Sequence, residues 1–302
     1  GIIQLLVVIV MLSINNKFLV TESKNTNLVS KVRDSYSVSK YRKLFNAIFI
    51  LGFFGFPFFV LVERSLSTPT GYSFVYYKQI LLENSDARFS IFGTRRAIYN
   101  SLLWGTLAMV IATVVGLIAA YLLTNKSKAV AQLSGVFLLL PLGASGVLLG
   151  FGILISLNSG FLDFRSQWWI VPLAQGLLGI GIVARITSNA IKKIDPSIRH
   201  AASTLGASSL IIWRKVDYPI IAKSIIAGSA FSFALALGEF GATSFLVRPQ
   251  RPTIPTTIFN LLGRPGSTTF GQAMALSVIL AVITWLVVSL LDRSGSLSTN
   301  DF

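Results

Sequence analysis

The chain has no cysteine and a single histidine, His200, and only 12% of its 302 residues carry charge. Without cysteine there is no disulfide framework, no thiolate zinc site and no cysteine nucleophile, and one histidine cannot build a multi-histidine metal centre. A charged fraction about half the roughly 25% typical of soluble domains excludes an ordinary soluble protein. Acids are the scarcest charges, 11 Asp and Glu against 26 Lys and Arg, which gives a formal charge of +15. A membrane-embedded enzyme needs a convergent set of acids, bases or ligands. Here the acids other than Glu239 are scattered through polar segments. No Gly-x-x-x-x-Gly-Lys-Ser/Thr loop is present to cradle phosphates with backbone amides, so the chain is not expected to bind nucleotide itself.

What the sequence has in abundance is apolar length: 53% of residues are hydrophobic and the mean hydropathy is +0.71. A bilayer core of roughly 30 Å is crossed by about 20 mostly apolar residues in a helix, which satisfies its own backbone groups. Six runs qualify, approximately Phe45 to Val62, Ala97 to Leu123, Ala131 to Leu157, Trp168 to Ala184, Ile220 to Val247 and Gly271 to Leu291. A shorter run, Gly1 to Ile14, lacks the flanking basic and cleavage residues of a signal peptide and reads as a partial transmembrane helix. The Ser-, Asn- and Lys-rich stretch from Asn15 to Leu44 reads as a basic cytoplasmic linker. The expected organisation is thus a partial helix at 1–14, a linker at 15–44 and a six-span unit at 45–302, the C-terminal half of a tandem protein.

The basic residues divide unevenly between alternating loops, 17 on the side of the linker and nine on the other. The side with 17 is assigned to the cytoplasm, which places the linker, the 189–219 loop and the C-terminus inside.

That cytoplasmic loop is patterned like structure. Asp195 followed by Pro196 marks a helix start, Ile198, Ala201, Ala202 and Leu205 form one apolar stripe, and Gly206 is a stop. Ser208 or Ser209 can cap a second short helix, which carries Trp213 and is expected to end at Pro219. Helix, turn and helix also suggest DNA binding. A recognition helix beginning Ser208-Ser209-Leu210-Ile211-Ile212 offers few groups for base edges, however, and it is tied to spans at both ends, so no nucleic-acid partner is expected.

The series from His200-Ala201-Ala202 through Gly206 to Trp213 and Pro219 resembles the cytoplasmic loop of permease subunits of binding-protein-dependent ABC importers. The family pattern is Glu-Ala-Ala, three residues, Gly and a later Pro, and here His200 stands in the Glu position. The resemblance implies an all-α membrane protein with a six-transmembrane-helix, MetI-like permease domain and no cofactor. It also implies a coupling loop (Ile198, His200, Ala201, Ala202, Leu205, Gly206, Trp213 and Pro219) docked on a separate ATP-binding subunit. The further partners it implies are an extracytoplasmic substrate-binding protein, a second permease half in the same chain or a dimer, and membrane lipid in a multi-pass inner-membrane location.

Glu239 is the one acid set deep in apolar sequence, between Gly238 and Gly241, and a buried ionisable group of this kind marks a candidate functional position. It either lines the translocation path or makes a structural hydrogen bond. Gly146 and Gly150 form a small-x-x-x-small pair for packing, and Gly179-Ile180-Gly181, a dinucleotide fingerprint only as text, reads as close helix packing. Arg248 to Pro255 holds three prolines and is expected to run extended, followed by a short helix from Ile258 to Leu262. The series from Gly238 to Gly266 resembles the last permease segment of iron(III) and thiamine importers. In that reading Glu239, Gly238, Gly241, Arg248 and Arg251 belong to the pathway or its mouth. An ion-coupled secondary transporter is the alternative; it should show discontinuous charged helices in matching repeats, and Glu239 has no counterpart.

Overall fold

The computed structural model describes residues 40–82, 93–124, 135, 145–157 and 167–293, nearly all of them helical. Five of the described helices are long and apolar enough to cross a membrane. The first, α1 (Lys40–Leu66), contains a π turn at Leu51–Gly55 and is followed by a two-stranded hairpin, β1 (Ser67–Thr68) with β2 (Gly71–Tyr72), and by the short α2 (Val75–Leu82). Next come α3 (Thr94–Leu123), α4 (Gly146–Ser156) and α5 (Ile170–Lys193). The 189–219 loop contributes α6 (Pro196–Thr204), and α7 runs from Ser209 to Gly238. Two short helices, α8 (Thr243–Leu246) and α9 (Ile254–Leu262), precede the last span, α10 (Ser267–Arg293).

Burial ranks these helices. In α5, 72% of the most apolar window is buried inside the protein, whereas in α1 none is, so α5 is the axis of the bundle and α1 lies at its edge. The helices around α5 approach closely because glycine and alanine line the contacts. A Cβ added at Gly116 of α3 would stand 2.7 Å from Cβ of Val183, and one at Gly228 of α7 would stand 3.1 Å from Cα of the same valine. A Cβ at Gly179 would collide with the Ser232 hydroxyl. Lipid tails are as apolar as leucine, so helix association in a bilayer rests on such close packing rather than on a hydrophobic drive. Gly179 is therefore a packing residue, as its position inside a span suggested.

Several boundaries differ from the sequence expectation. The Ala131 to Leu157 run is described at residue 135 and from 145 onward, where it forms α4; the rest of it lies outside the described residues, as do residues 1–39. Residues 40–44, expected in the linker, form the first turn of α1. Pro219 does not end a second short helix, because that helix and the following span are one, α7. A proline inside an α-helix removes a hydrogen bond and clashes with the carbonyl four residues back. Here the preceding turn, Trp213–Asp217, widens to a π turn in which the Tyr218 N–H reaches back five residues to the Trp213 carbonyl. Pro57 likewise follows the π turn of α1 directly. At the other end α7 stops at Gly238 rather than Val247, and the chain breaks at Glu239.

Gly179→Val should overpack the α5–α7 contact and cost about 1–3 kcal/mol, read as a lower thermal midpoint and lost monodispersity of the purified protein. Gly52→Ala, at a position where an added Cβ meets nothing within 4 Å, should leave both unchanged.

Candidate functional site

The 189–219 loop is built by local rules. The Asp195 carboxylate accepts the Ser197 N–H at 2.9 Å and Pro196 opens α6. That hydrogen bond holds the Asp195 carboxyl below its ordinary range, so the cap stays intact above ordinary aspartate values and is lost as pH falls through the lowered one. The helix closes at Gly206, whose φ of +82° suits glycine. The Gly206 N–H bonds to the Ser203 carbonyl and the Ala207 N–H to the Ala202 carbonyl, a Schellman end. Arg199 Nε then donates to the buried Asp217 carboxylate at 2.8 Å, which ties α6 to the π turn of α7. Trp213 is half-buried, its ring 5.6 Å from that of Tyr218.

What this bracing leaves outside is apolar. Leu205 is 88% exposed and Leu210 73%, with Ile198 and Ile211 about half exposed, alongside His200, Ala201 and Gly206. Ala202 is half-buried, and Pro219 is exposed on the flank of α7. These exposed apolar side chains are divided between α6 with its closing turn (Ile198, Leu205) and the start of α7 (Leu210, Ile211).

The second feature is the break after α7. The short helix α8 that follows opens with N–H groups that have no partner within it, so something must satisfy them. Glu239 does so: its carboxylate accepts the Ala242 N–H at 2.7 Å and the Thr243 N–H at 3.0 Å, while Thr243 Oγ1 returns a bond to the Glu239 carbonyl at 2.8 Å. The side chain is 8% exposed. Of the two roles open in the sequence, the coordinates supply a hydrogen bond, made to the chain's own backbone. The glycine pair of α4 fits against this break: a Cβ at Gly150 would lie 2.5 Å from Cα of Ala242, and one at Gly241 would lie 2.7 Å from the Val147 nitrogen. Gly238, by contrast, meets nothing within 4 Å.

The third feature lies at the opposite end of the bundle. The segment after Val247 does not run extended, because Arg248 to Arg251 form a turn closed by an Arg251 N–H to Arg248 carbonyl bond of 2.9 Å, with Pro249 preset for its second position. Nor does the next helix wait for Ile258. Thr253 and Thr256 form a capping box and Pro255 sits in the first turn of α9. Two polar residues of α3 dock this segment: Asn100 Nδ2 donates to the Pro252 carbonyl at 2.9 Å, and Ser101 Oγ accepts the Ile254 N–H at 2.8 Å. Arg96, Asn100, Trp104, Trp168, Gln250 and Arg251 surround a cavity of about 430 Å³. Sequence reasoning counted Arg96 only as a charge and passed over Asn100. The signal was present as an arginine and an asparagine one helical turn apart at the start of an apolar run.

Residues 112–298 match the family described as the binding-protein-dependent transport system inner membrane component. The chain belongs to this family. It is a permease of the ABC importer class and a multi-pass protein of the inner membrane. It is similar to the Salmonella typhimurium permease PhnV, named for 2-aminoethylphosphonate transport (28% identical over 253 residues, 82% of this chain and 91% of that one). It is also similar to the Escherichia coli molybdenum transport permease ModB (28% over 213 residues, 66% of this chain and 93% of that one). The Salmonella typhimurium sulfate transport permease CysT is 29% identical over 201 residues, 63% of this chain and 73% of that one. Among solved structures, a bacterial alginate ABC transporter in complex with its alginate-bound periplasmic protein shares the fold, with a TM-score of 0.66 and 18% identity over 84% of this chain and 92% of that one.

Glu239→Ala strands two buried amide donors at about 1–3 kcal/mol each. It should lower the thermal midpoint of the purified permease clearly more than Ser244→Ala, which removes one exposed hydroxyl bond next to the break.

Proposed function

We propose that this permease forms half of a two-fold transmembrane pathway, receives substrate from an extracytoplasmic binding protein, and is driven by a separate ATP-binding subunit seated on the 189–219 loop. The observation that carries this reading is the braced apolar cluster of Ile198, Leu205, Leu210 and Ile211, continuous through the Arg199–Asp217 pair with α7. A subunit that moves this cluster moves α7 as a lever. Thirty helical residues span about 45 Å, and the far end of that lever is the Glu239 break. Alternating access then follows from rigid-body displacement of α7 against α4 and α5, with no covalent chemistry in this chain. His200, exposed where the related loops carry Glu, leaves the apolar contacts as the main grip on the ATPase subunit.

The second permease half is either part of the same polypeptide or a separate partner. On substrate, the Gly238 to Gly266 series supports iron(III) or thiamine, while the names of the relatives are those of 2-aminoethylphosphonate, molybdenum and sulfate carriers. In every case the cargo is small and hydrophilic, and the binding protein selects it. Glu239, Gly238 and Gly241 border the path at the break, and Arg248 and Arg251 its mouth.

The test is reconstitution with the ATP-binding subunit and binding protein in sealed vesicles. Uptake should require ATP, and Leu205→Asp should reduce it by about tenfold or more by burying an unpaired charge in the docking contact, with the permease still folded. Glu239→Gln, which keeps one acceptor, should alter uptake or basal ATP hydrolysis more than assembly. Uptake indifferent to ATP but collapsed by an ionophore would instead establish an ion-coupled carrier.

A further inference from the structure

The cavity at the mouth has a chemistry that the transport reading does not require. Its two cationic walls come from different parts of the chain: Arg96 from the first turn of α3, and Arg251 from the turn that closes the Arg248 segment. Arg96 Nη1 donates to the Gln250 carbonyl at 3.4 Å, a long contact that orients the guanidinium and leaves most of its donors unused. Among the described residues no carboxylate pairs with Arg96 or Arg251, in contrast to Arg64 with Glu63 and Arg199 with Asp217. Asn100 is 7% exposed and spends its amide N–H on the Pro252 carbonyl, which fixes the Arg251 turn over the cavity. Trp104 is buried and forms an apolar wall, while Trp168 is half exposed at the opening.

Two guanidinium forks beside an apolar, low-dielectric wall attract a negative charge more strongly than the same groups in open water. Planar guanidinium suits oxyanions in particular, because it offers paired N–H donors to two oxygens of one group. A volume of about 430 Å³, open on one side, has room for a small organic or inorganic anion with its water. A bare trivalent cation or a quaternary ammonium ion would meet repulsion from both arginines.

We infer that this cavity is an anion-receiving site in which Arg96 and Arg251 bind the oxyanion group of the transported solute as it leaves the binding protein. The inference rests on the permease reading and narrows it: the cargo carries a phosphate-, phosphonate-, sulfate- or molybdate-like group. Iron or thiamine would enter here as an anionic complex or a phosphate ester. The shared chemistry would also accept a phospholipid headgroup, and the dissolved solute is the source proposed.

The experiment uses the assembled permease and ATPase complex without binding protein, in phosphatidylcholine nanodiscs, with sulfate, molybdate and 2-aminoethylphosphonate as probes and choline as a cationic control. Binding is read by calorimetry and by tryptophan fluorescence, since Trp104 and Trp168 line the cavity. At least one oxyanion should bind saturably and choline should not. Arg96→Gln and Arg251→Gln should each weaken binding about tenfold or more, with the lysine variants recovering part of it. Absence of saturable binding, or binding indifferent to both substitutions, overturns the inference. So does loss of binding-protein docking in both variants with anion binding intact, which would make the arginines a protein contact. Displacement of the anion by phosphatidylglycerol in the disc, with uptake unaffected by either substitution, also overturns it and gives the site to lipid. ATP-dependent uptake in the unmodified complex is measured alongside, so a failure of the anion site with uptake preserved leaves the permease reading standing.

Discussion

A helix interrupted within a bilayer frees amide groups that no water can reach, and the rest of this molecule is arranged around the one carboxylate that meets that demand. Glu239 accepts two of those N–H groups and receives the α4 glycines against its turn. An acid at this depth is tolerable because its charge is spent on backbone donors rather than left to face lipid. With the break fixed in this way, α7 is a rod with a defined end, and α8 can leave it in a new direction to build the mouth.

The same rod is defined at its other end by a second electrostatic contact. Arg199 and Asp217 lock α6 to the π turn, so the apolar face of the loop cannot shift without moving α7. Between the two ends the rod packs against α5 through small residues, with Gly228 against Val183 and Gly179 against Ser232. Such surfaces resist compression and permit discrete rearrangement, which is what a gate driven from one side requires. In the proposed reading the tasks separate along the bundle: apolar docking at one end, close packing in the middle, and cationic reception at the other.

Much of this was legible in the sequence, and the reasons differ by element. Apolar length located the spans, because the bilayer imposes a residue count that composition alone reveals. The Asp195-Pro196 start and the Gly206 stop were readable because caps obey local rules. Pro219 misled: a proline normally ends a helix, but a π turn one step earlier absorbs it, and π turns have no local signature. The position of Glu239 was plain while its partners were not, since the Gly146 and Gly150 face that closes over it lies some ninety residues earlier in the chain. Arg96 and Arg251 line one cavity for the same reason. Their proximity is produced by Asn100 holding Pro252, a contact between segments about 150 residues apart that no local pattern encodes.

The natural absence of cysteine makes the central mechanical claim directly measurable, because paired labels can be introduced without background. Spin labels at Ser203→Cys on the loop and Ile155→Cys on α4, both at exposed positions, report the displacement of the lever against α4 in the reconstituted transporter. The account predicts a distance change between the nucleotide-free and ATP-trapped states, and loss of that change in Glu239→Ala while ATP hydrolysis continues. An identical change with and without Glu239, or none in the unmodified protein, would contradict it.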